Sequence, residues 1–179
     1  GNNNKTKEIS RSHKIIVTES GLITLTGGKW TTYRKMGEDT INKAIKMGLL
    51  GSVQTGTKTL SIHGNFVTTD RSSHFYVYGS DKPLLFDFIN QKPKWSNPIL
   101  EGEAYLQGEV IWAVKNEFAR TVEDFLARRT RVLFLDAALA IKMAPKVAQL
   151  MAAALEKDQH WEQQQIENFT TIARGYLLS

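Results

Sequence analysis

One stretch of eight residues limits what this chain can fold into more than any other: Gly27-Gly28-Lys29-Trp30-Thr31-Thr32-Tyr33-Arg34. It lies between an alternating apolar and hydroxyl run, Leu22 to Thr26, and a run of helical periodicity from Tyr33 to Met47. Alternation is the pattern of a half-buried strand, and recurrence every three to four residues is that of a helix with one buried face. Two glycines between them allow a tight turn and let another group approach the backbone closely. Thr31 and Thr32 are expected to cap the helix, with Tyr33, Met36, Thr40, Ile41, Ala44 and Met47 as its buried stripe and Gly48 as its end. The first N–H groups of such a helix, with the Lys29 ammonium beside them, favour an anion or an electron-rich carbonyl. A well-capped strand-turn-helix with no ligand accounts for the same residues. The spacing is not that of a phosphate-binding P-loop.

His13 to Glu19 reads as a second strand, turned into Leu22–Thr26 at Ser20-Gly21 to make a hairpin. Leu49 to Gly64, rich in glycine and hydroxyl residues, reads as a linker. From about Arg71 the signals are helical. Ser72-Ser73 caps a short helix through Tyr78, and Ser80-Asp81 with Pro83 starts one to about Asn90. A helix is expected from Gly102 to Ala119, and Thr121 with Asp124 forms a capping box for the next. Leu133 to Leu155 carries a core stripe interrupted at Pro145, and Asp158 caps a last amphipathic helix. The expected fold is mainly α: residues 1–48 a hairpin and helix, 49–64 a linker, and 65–179 an all-helical domain.

Composition removes several function classes. Among 179 residues there is no cysteine, so disulfides, thiolate catalysis and cysteine-ligated metals are excluded. The four histidines, His13, His63, His74 and His160, lack the spacing of a helical metal site, and no metal is expected. No apolar run is expected to reach transmembrane length. A net charge of +5 permits an anionic partner, but Arg128-Arg129-Thr130-Arg131 has Glu109, Glu117, Glu123 and Asp124 near enough to neutralise it. An intramolecular ion-pair network is therefore expected there, with no nucleic acid bound. The rings of Phe75, Tyr76, Tyr78, Trp161, Phe169 and Tyr176 are read as packing residues.

Two blocks resemble one family. Ser20 to Ile41, containing Thr-Gly-Gly-Lys-Trp-Thr-Thr-Tyr-Arg, resembles the flavin-proximal segment of FAD-dependent glycerol-3-phosphate dehydrogenases. Tyr105 to Met151, with Arg120-Thr-Val-Glu-Asp-Phe-Leu-Ala-Arg-Arg-Thr-Arg131 and Phe134-Leu-Asp-Ala-Ala138, resembles that family's C-terminal helical domain. The resemblance implies that Lys29 is catalytic and touches substrate beside the flavin, and that Gly27, Gly28, Lys29, Trp30, Thr31 and Thr32 line FAD. It also implies that Arg11, in Ile9-Ser10-Arg11, binds the substrate phosphate, for which a guanidinium fork is suited.

By the same resemblance, residues 1–48 are a C-terminal piece of a FAD-binding α/β domain. No Gly-x-Gly-x-x-Gly fingerprint is present. The chain is thus expected to be the last third of a flavoenzyme, inactive and flavin-free without its N-terminal FAD domain. The parent would oxidise sn-glycerol 3-phosphate to dihydroxyacetone phosphate and pass electrons to a quinone or oxygen. It would be cytoplasmic, with peripheral attachment to the inner face of the cytoplasmic membrane as the membrane-bound variant. Trp30, Tyr33 and the outer hairpin would leave apolar surface exposed, open to a second copy in a homo-oligomer. The rival expectation is a non-catalytic basic helical module of nucleic-acid-binding type.

Overall fold

The computed structural model describes residues 12–67 and 70–177. The chain is mainly α-helical and divides into two compact units, Gly1–Ile62 and His63–Ser179.

The first unit is built on one hairpin. Strand β1 (His13–Val17) pairs antiparallel with β2 (Ile23–Gly27), placing His13 opposite Gly27 and Ile15 opposite Leu25. His13, Ile15 and Val17 are half-buried while Lys14 and Ile16 face solvent, the two-residue alternation a one-sided hairpin requires. A 3-10 turn, Trp30–Thr32, leads directly into helix α1 (Tyr33–Lys46). Asp39 on α1 holds the hairpin by accepting from His13 Nε2 at 3.0 Å and from Lys35 Nζ at 2.7 Å. Gly48 ends the helix in the left-handed region (φ +73°), its N–H donating to the Ile45 carbonyl at 2.9 Å.

The expected buried stripe of α1 is only partly formed. Ala44 is buried and Met36, Thr40 and Met47 are half-buried, but Tyr33 is 59% and Ile41 53% exposed. Two five-residue strands cannot cover a 14-residue helix, so among the described residues of this unit the outer part of the stripe is left largely uncovered, Tyr33 meeting the exposed Trp30 ring 6.2 Å away. Leu22 and Trp30 are likewise exposed, at 63% and 89%.

The second unit has a helical core. A 3-10 segment, His74–Asp81, begins where the Ser73 hydroxyl accepts from Phe75 N–H and bends at Gly79, where an added Cβ would lie 1.9 Å from the Gly64 carbonyl oxygen. Then come α2 (Lys82–Ile89), α3 (Gln107–Asn116), a π-helical turn (Asp124–Arg129), α4 (Val132–Leu135), α5 (Ala137–Leu155) and α6 (Gln159–Arg174). Helix α5 buries Ala140, Met143, Ala144, Val147, Ala148 and Met151 against Val110 and Ala113 of α3 and Phe169 and Ala173 of α6. Alanines along α5 let the neighbouring backbones approach closely, and the methionines fill the gaps between them. Tyr78, Leu85, Ile89, Trp95, Ile111 and Trp112 form a second apolar cluster.

Two helix boundaries differ from expectation. Helix α3 starts at Gln107 rather than Gly102, because an isolated antiparallel bridge, Pro98 to Leu106, with Ile99 N–H on the Tyr105 carbonyl at 2.8 Å, holds the preceding residues in a loop. The expected helix from Leu133 to Leu155 is broken at Asp136, not at Pro145. Asp136 is extended, and its carboxylate caps α5 by accepting from Leu139 N–H at 2.8 Å, whereas Pro145 sits inside an unbroken helix. Among the described residues α5 is also one helix long and apolar enough to cross a membrane by length and composition, contrary to expectation. Its buried stripe and the lysines Lys142 and Lys146 suit a core helix equally. The caps at Thr121–Asp124 and Asp158 form as expected: Asp124 accepts from Thr121 N–H and Thr121 from Asp124 N–H, and Asp158 accepts from Trp161 N–H at 2.9 Å.

Candidate functional site

Both glycines of the turn after β2 need their freedom. Gly27 and Gly28 have φ of +76° and +82°, where an L side chain is strained. A Cβ on Gly28 would stand 2.6 Å from Met36 Sδ and 3.3 Å from His13 Cβ, so the glycine also lets the turn lie against α1. The backbone is thereby brought to the head of a helix.

The threonine caps work differently from expectation. Thr32 does not cap forward into α1; its hydroxyl turns back, donating to the Lys29 carbonyl at 2.9 Å and accepting from Lys29 N–H at 3.2 Å. Helical turning therefore starts one turn early, with Lys29 in the N-cap position and Thr32 N–H on the Lys29 carbonyl at 2.9 Å. Among the described residues, the N–H groups of Trp30 and Thr31 find no acceptor. Residues Lys29, Trp30, Thr31 and Thr32 are all exposed. No carboxylate among the described residues pairs with Lys29. Within the described residues, two N–H donors without acceptors follow directly on an exposed lysine without an ion pair, an arrangement that suits a negatively charged or carbonyl-bearing group. Arg11, the other expected substrate ligand, lies outside the described residues.

The second unit holds a polar cluster around Glu109 on α3. This carboxylate is completely buried. It accepts from Leu106 N–H at 2.7 Å and Tyr78 O–H at 2.9 Å, and both of its oxygens lie 3.0 Å from His74 Nε2. Both oxygens of one carboxylate face the same ring nitrogen, so Nε2 donates its proton to Glu109. Burial, then the charge of Glu109, pushes the Tyr78 hydroxyl far above its ordinary range, so it stays a donor. Glu109 was expected to meet an arginine of the 128–131 run and does not. Its partners, His74 and Tyr78, come from 31 to 35 residues upstream.

Three of the four expected acidic partners do serve the arginine run. Arg128 reaches Glu123 at 2.7 Å and Asp124 at 3.2 Å, and Arg129 reaches the Glu117 carboxylate at 3.5 Å while donating to its carbonyl. Among the described residues, no ion pair reaches Arg131, which sits in the left-handed region (φ +62°) before α4. Burial raises the Glu117 carboxyl above its ordinary value of 4.5, opposed by the Trp112 N–H bond and the Arg129 charge.

Arg129→Ala should therefore cost about 1–2 kcal/mol near neutral pH, since both partners retain some solvent contact. An acid with a raised folded pKa binds more protons folded than unfolded, so its ionisation weakens the fold as pH rises through that value. Removing Arg129 raises it further. The deficit should shrink as pH falls through the two folded-state values, the variant's and then the parent's, both above 4.5. Urea melts across that window check it; a deficit independent of pH would remove Glu117 from the explanation.

Comparison with known proteins places the chain among relatives of one activity. Residues 21–165 match the model of the C-terminal domain of alpha-glycerophosphate oxidase. The chain is 34% identical to a probable mitochondrial glycerol-3-phosphate dehydrogenase of Dictyostelium discoideum, over 94% of this chain and 29% of that protein. It is 34% identical to the mitochondrial glycerol-3-phosphate dehydrogenase of Macaca fascicularis, over 96% of this chain and 26% of that protein. A mitochondrial glycerol-3-phosphate dehydrogenase of Arabidopsis thaliana is 30% identical over 90% of the chain and 30% of its own length. The chain thus spans less than a third of the length of these relatives.

Proposed function

Because the chain belongs to the family of the C-terminal domain of alpha-glycerophosphate oxidase, we propose that it is the C-terminal part of a flavoprotein oxidising sn-glycerol 3-phosphate to dihydroxyacetone phosphate. A quinone or oxygen is the final acceptor. In this reading residues 1–48 complete a FAD and substrate domain, residues 49–64 are a linker, and residues 65–179 form a helical domain attached to it. Peripheral attachment to a membrane is part of the proposal; the relatives are mitochondrial by name.

The observation that supports it best is the turn at Gly27–Thr32. Gly27 and Gly28 make the positive-φ turn and seat it against α1, and among the described residues the Trp30 and Thr31 N–H groups have no acceptor and Lys29 has no ion pair. These residues fit one electron-rich edge of a flavin. Bound FAD would supply the two-electron redox chemistry. This chain's residues would do the rest of the work at that edge: Trp30 and Thr31 N–H groups donate to it, and the Lys29 ammonium favours negative charge on it or on the substrate. Gly27 and Gly28 keep the backbone close, and Thr32 holds the turn shut through the Lys29 carbonyl. Arg11 is assigned to the substrate phosphate.

The whole protein carrying this chain should purify with a flavin absorption band and oxidise glycerol 3-phosphate. The 179-residue chain alone should be colourless and inactive. Absorption spectra and a dye-reduction assay on both decide it. A yellow preparation of the chain alone would defeat the assignment of most of the pocket to other sequence, and a whole protein inert towards glycerol 3-phosphate would defeat the reading itself.

A further inference from the structure

The second unit contains a cavity of about 260 Å³ that the proposed redox reaction does not use. Its inner wall is the buried cluster just described. Glu109 is already saturated by His74, Tyr78 and Leu106, so it offers nothing to a ligand. Its effect is to lock the rings: the His74 imidazole is pinned at Nε2 and lies 4.7 Å from the Tyr105 ring, centroid to centroid. A ligand would meet a fixed aromatic wall.

The mouth differs in character. Tyr76 and Leu135 line it and are 40% and 77% exposed, so the cavity presents aromatic and aliphatic surface to solvent. Its cations are unequal. Arg129 is held by Glu117, but Arg131 has no ion pair among the described residues. Arg131 is also one of few non-glycine residues with positive φ, and a strained backbone at a cavity rim is a recurrent sign of a functional site. Arg131, without an ion pair among the described residues, lines the same cavity as the rings of His74, Tyr76 and Tyr105, the outer ring Tyr76 also carrying the Arg71 guanidinium 5.5 Å from its centroid, so the lining selects for charge and for flatness together.

We infer that this cavity binds a small organic anion with a flat apolar body, the anionic group on Arg131 and the ring against His74, Tyr76 and Tyr105. The inference stands on the second unit alone and does not depend on the flavoprotein reading. An aryl carboxylate and an aryl phosphate share the required chemistry, and separate probes distinguish them.

Titration calorimetry of this chain with benzoate, phenyl phosphate and the uncharged benzyl alcohol tests it. At least one anion should bind at least tenfold more tightly than benzyl alcohol, the advantage expected of one charge-assisted contact. Arg131→Asn, a residue tolerant of the left-handed conformation, should remove that advantage while leaving the fold intact by circular dichroism. Arg131→Lys should keep most of it. Absence of binding by either anion, binding no tighter than that of benzyl alcohol, or binding unchanged in Arg131→Asn would each overturn the inference.

Discussion

Replacing Lys29 by Met in the whole protein should lower turnover of glycerol 3-phosphate by about a hundredfold or more, the usual loss when one preorganised electrostatic partner is removed. That corresponds to about 2.7 kcal/mol of transition-state stabilisation. The size follows from the surroundings of the side chain. Lys29 is exposed at the head of a helical turn, unpaired among the described residues, and flanked by two N–H groups without acceptors. Its charge is available for a ligand and contributes nothing visible to holding the unit together. Methionine keeps the length and loses the charge. The melting temperature should hardly move, because the turn is held by the Lys29 backbone and the Thr32 hydroxyl, which the substitution spares. A fall in kcat places the charge in the transition state, and a rise in KM alone places it in ground-state binding. Turnover and KM both unchanged would make the turn merely structural and remove Lys29 from the site.

Much of this turn was legible in the sequence. Gly-Gly between an alternating run and a helical run predicts a strand, a tight turn and a helix, and β2, the two positive-φ glycines and α1 are all present. The direction of the Thr32 cap was not legible, because a hydroxyl three residues after Lys29 can bond forward or backward, and local geometry decides. The exposure of Tyr33 and Ile41 was hidden for another reason. Periodicity marks which face of a helix is apolar, not whether anything covers it. The break at Asp136 instead of Pro145 reflects competing helix signals. An Asp that caps the next turn ends a helix as firmly as a proline, and Pro145 costs α5 one hydrogen bond in a stretch otherwise buried on the core.

The partner of Glu109 is the largest misassignment. The sequence shows Glu109 in Gln-Gly-Glu-Val-Ile-Trp-Ala-Val, a carboxylate in the midst of apolar residues, and that is a signal of a buried charge needing a partner. Proximity in sequence favoured the arginines. The partner was instead a histidine 35 residues upstream, which only the packing of the His74–Asp81 segment on α3 brings within reach. A single sequence carries no information on that distance. Arg131 was assigned an ion pair for the same reason. Its left-handed backbone, set by the start of α4, directs it to the cavity mouth.

That misassigned carboxylate gives the largest stability effect expected anywhere in the chain. Glu109→Leu should destabilise the second unit by about 3–5 kcal/mol, the range for breaking one side of a buried polar pair. Leucine fits the volume, so little of the loss is a cavity. The loss comes from three donors stranded at once: Tyr78 O–H, Leu106 N–H and the proton on His74 Nε2. Of these, Tyr78 is buried and cannot turn to water, whereas His74 is 20% exposed and can partly recover a partner. Glu109→Gln should cost less, about half, since its carbonyl oxygen still accepts from Leu106 and its amide can donate to the Tyr78 oxygen. The double variant Tyr78→Phe/Glu109→Leu separates these contributions. With the stranded hydroxyl removed, it should be more stable than Glu109→Leu alone, a non-additivity that a general loss of packing would not produce. Urea unfolding of the four proteins measures the cycle. Additive changes, or a Glu109→Leu chain within about 1 kcal/mol of the parent, would mean that water reaches this cluster and that the aromatic wall of the cavity is not held by it.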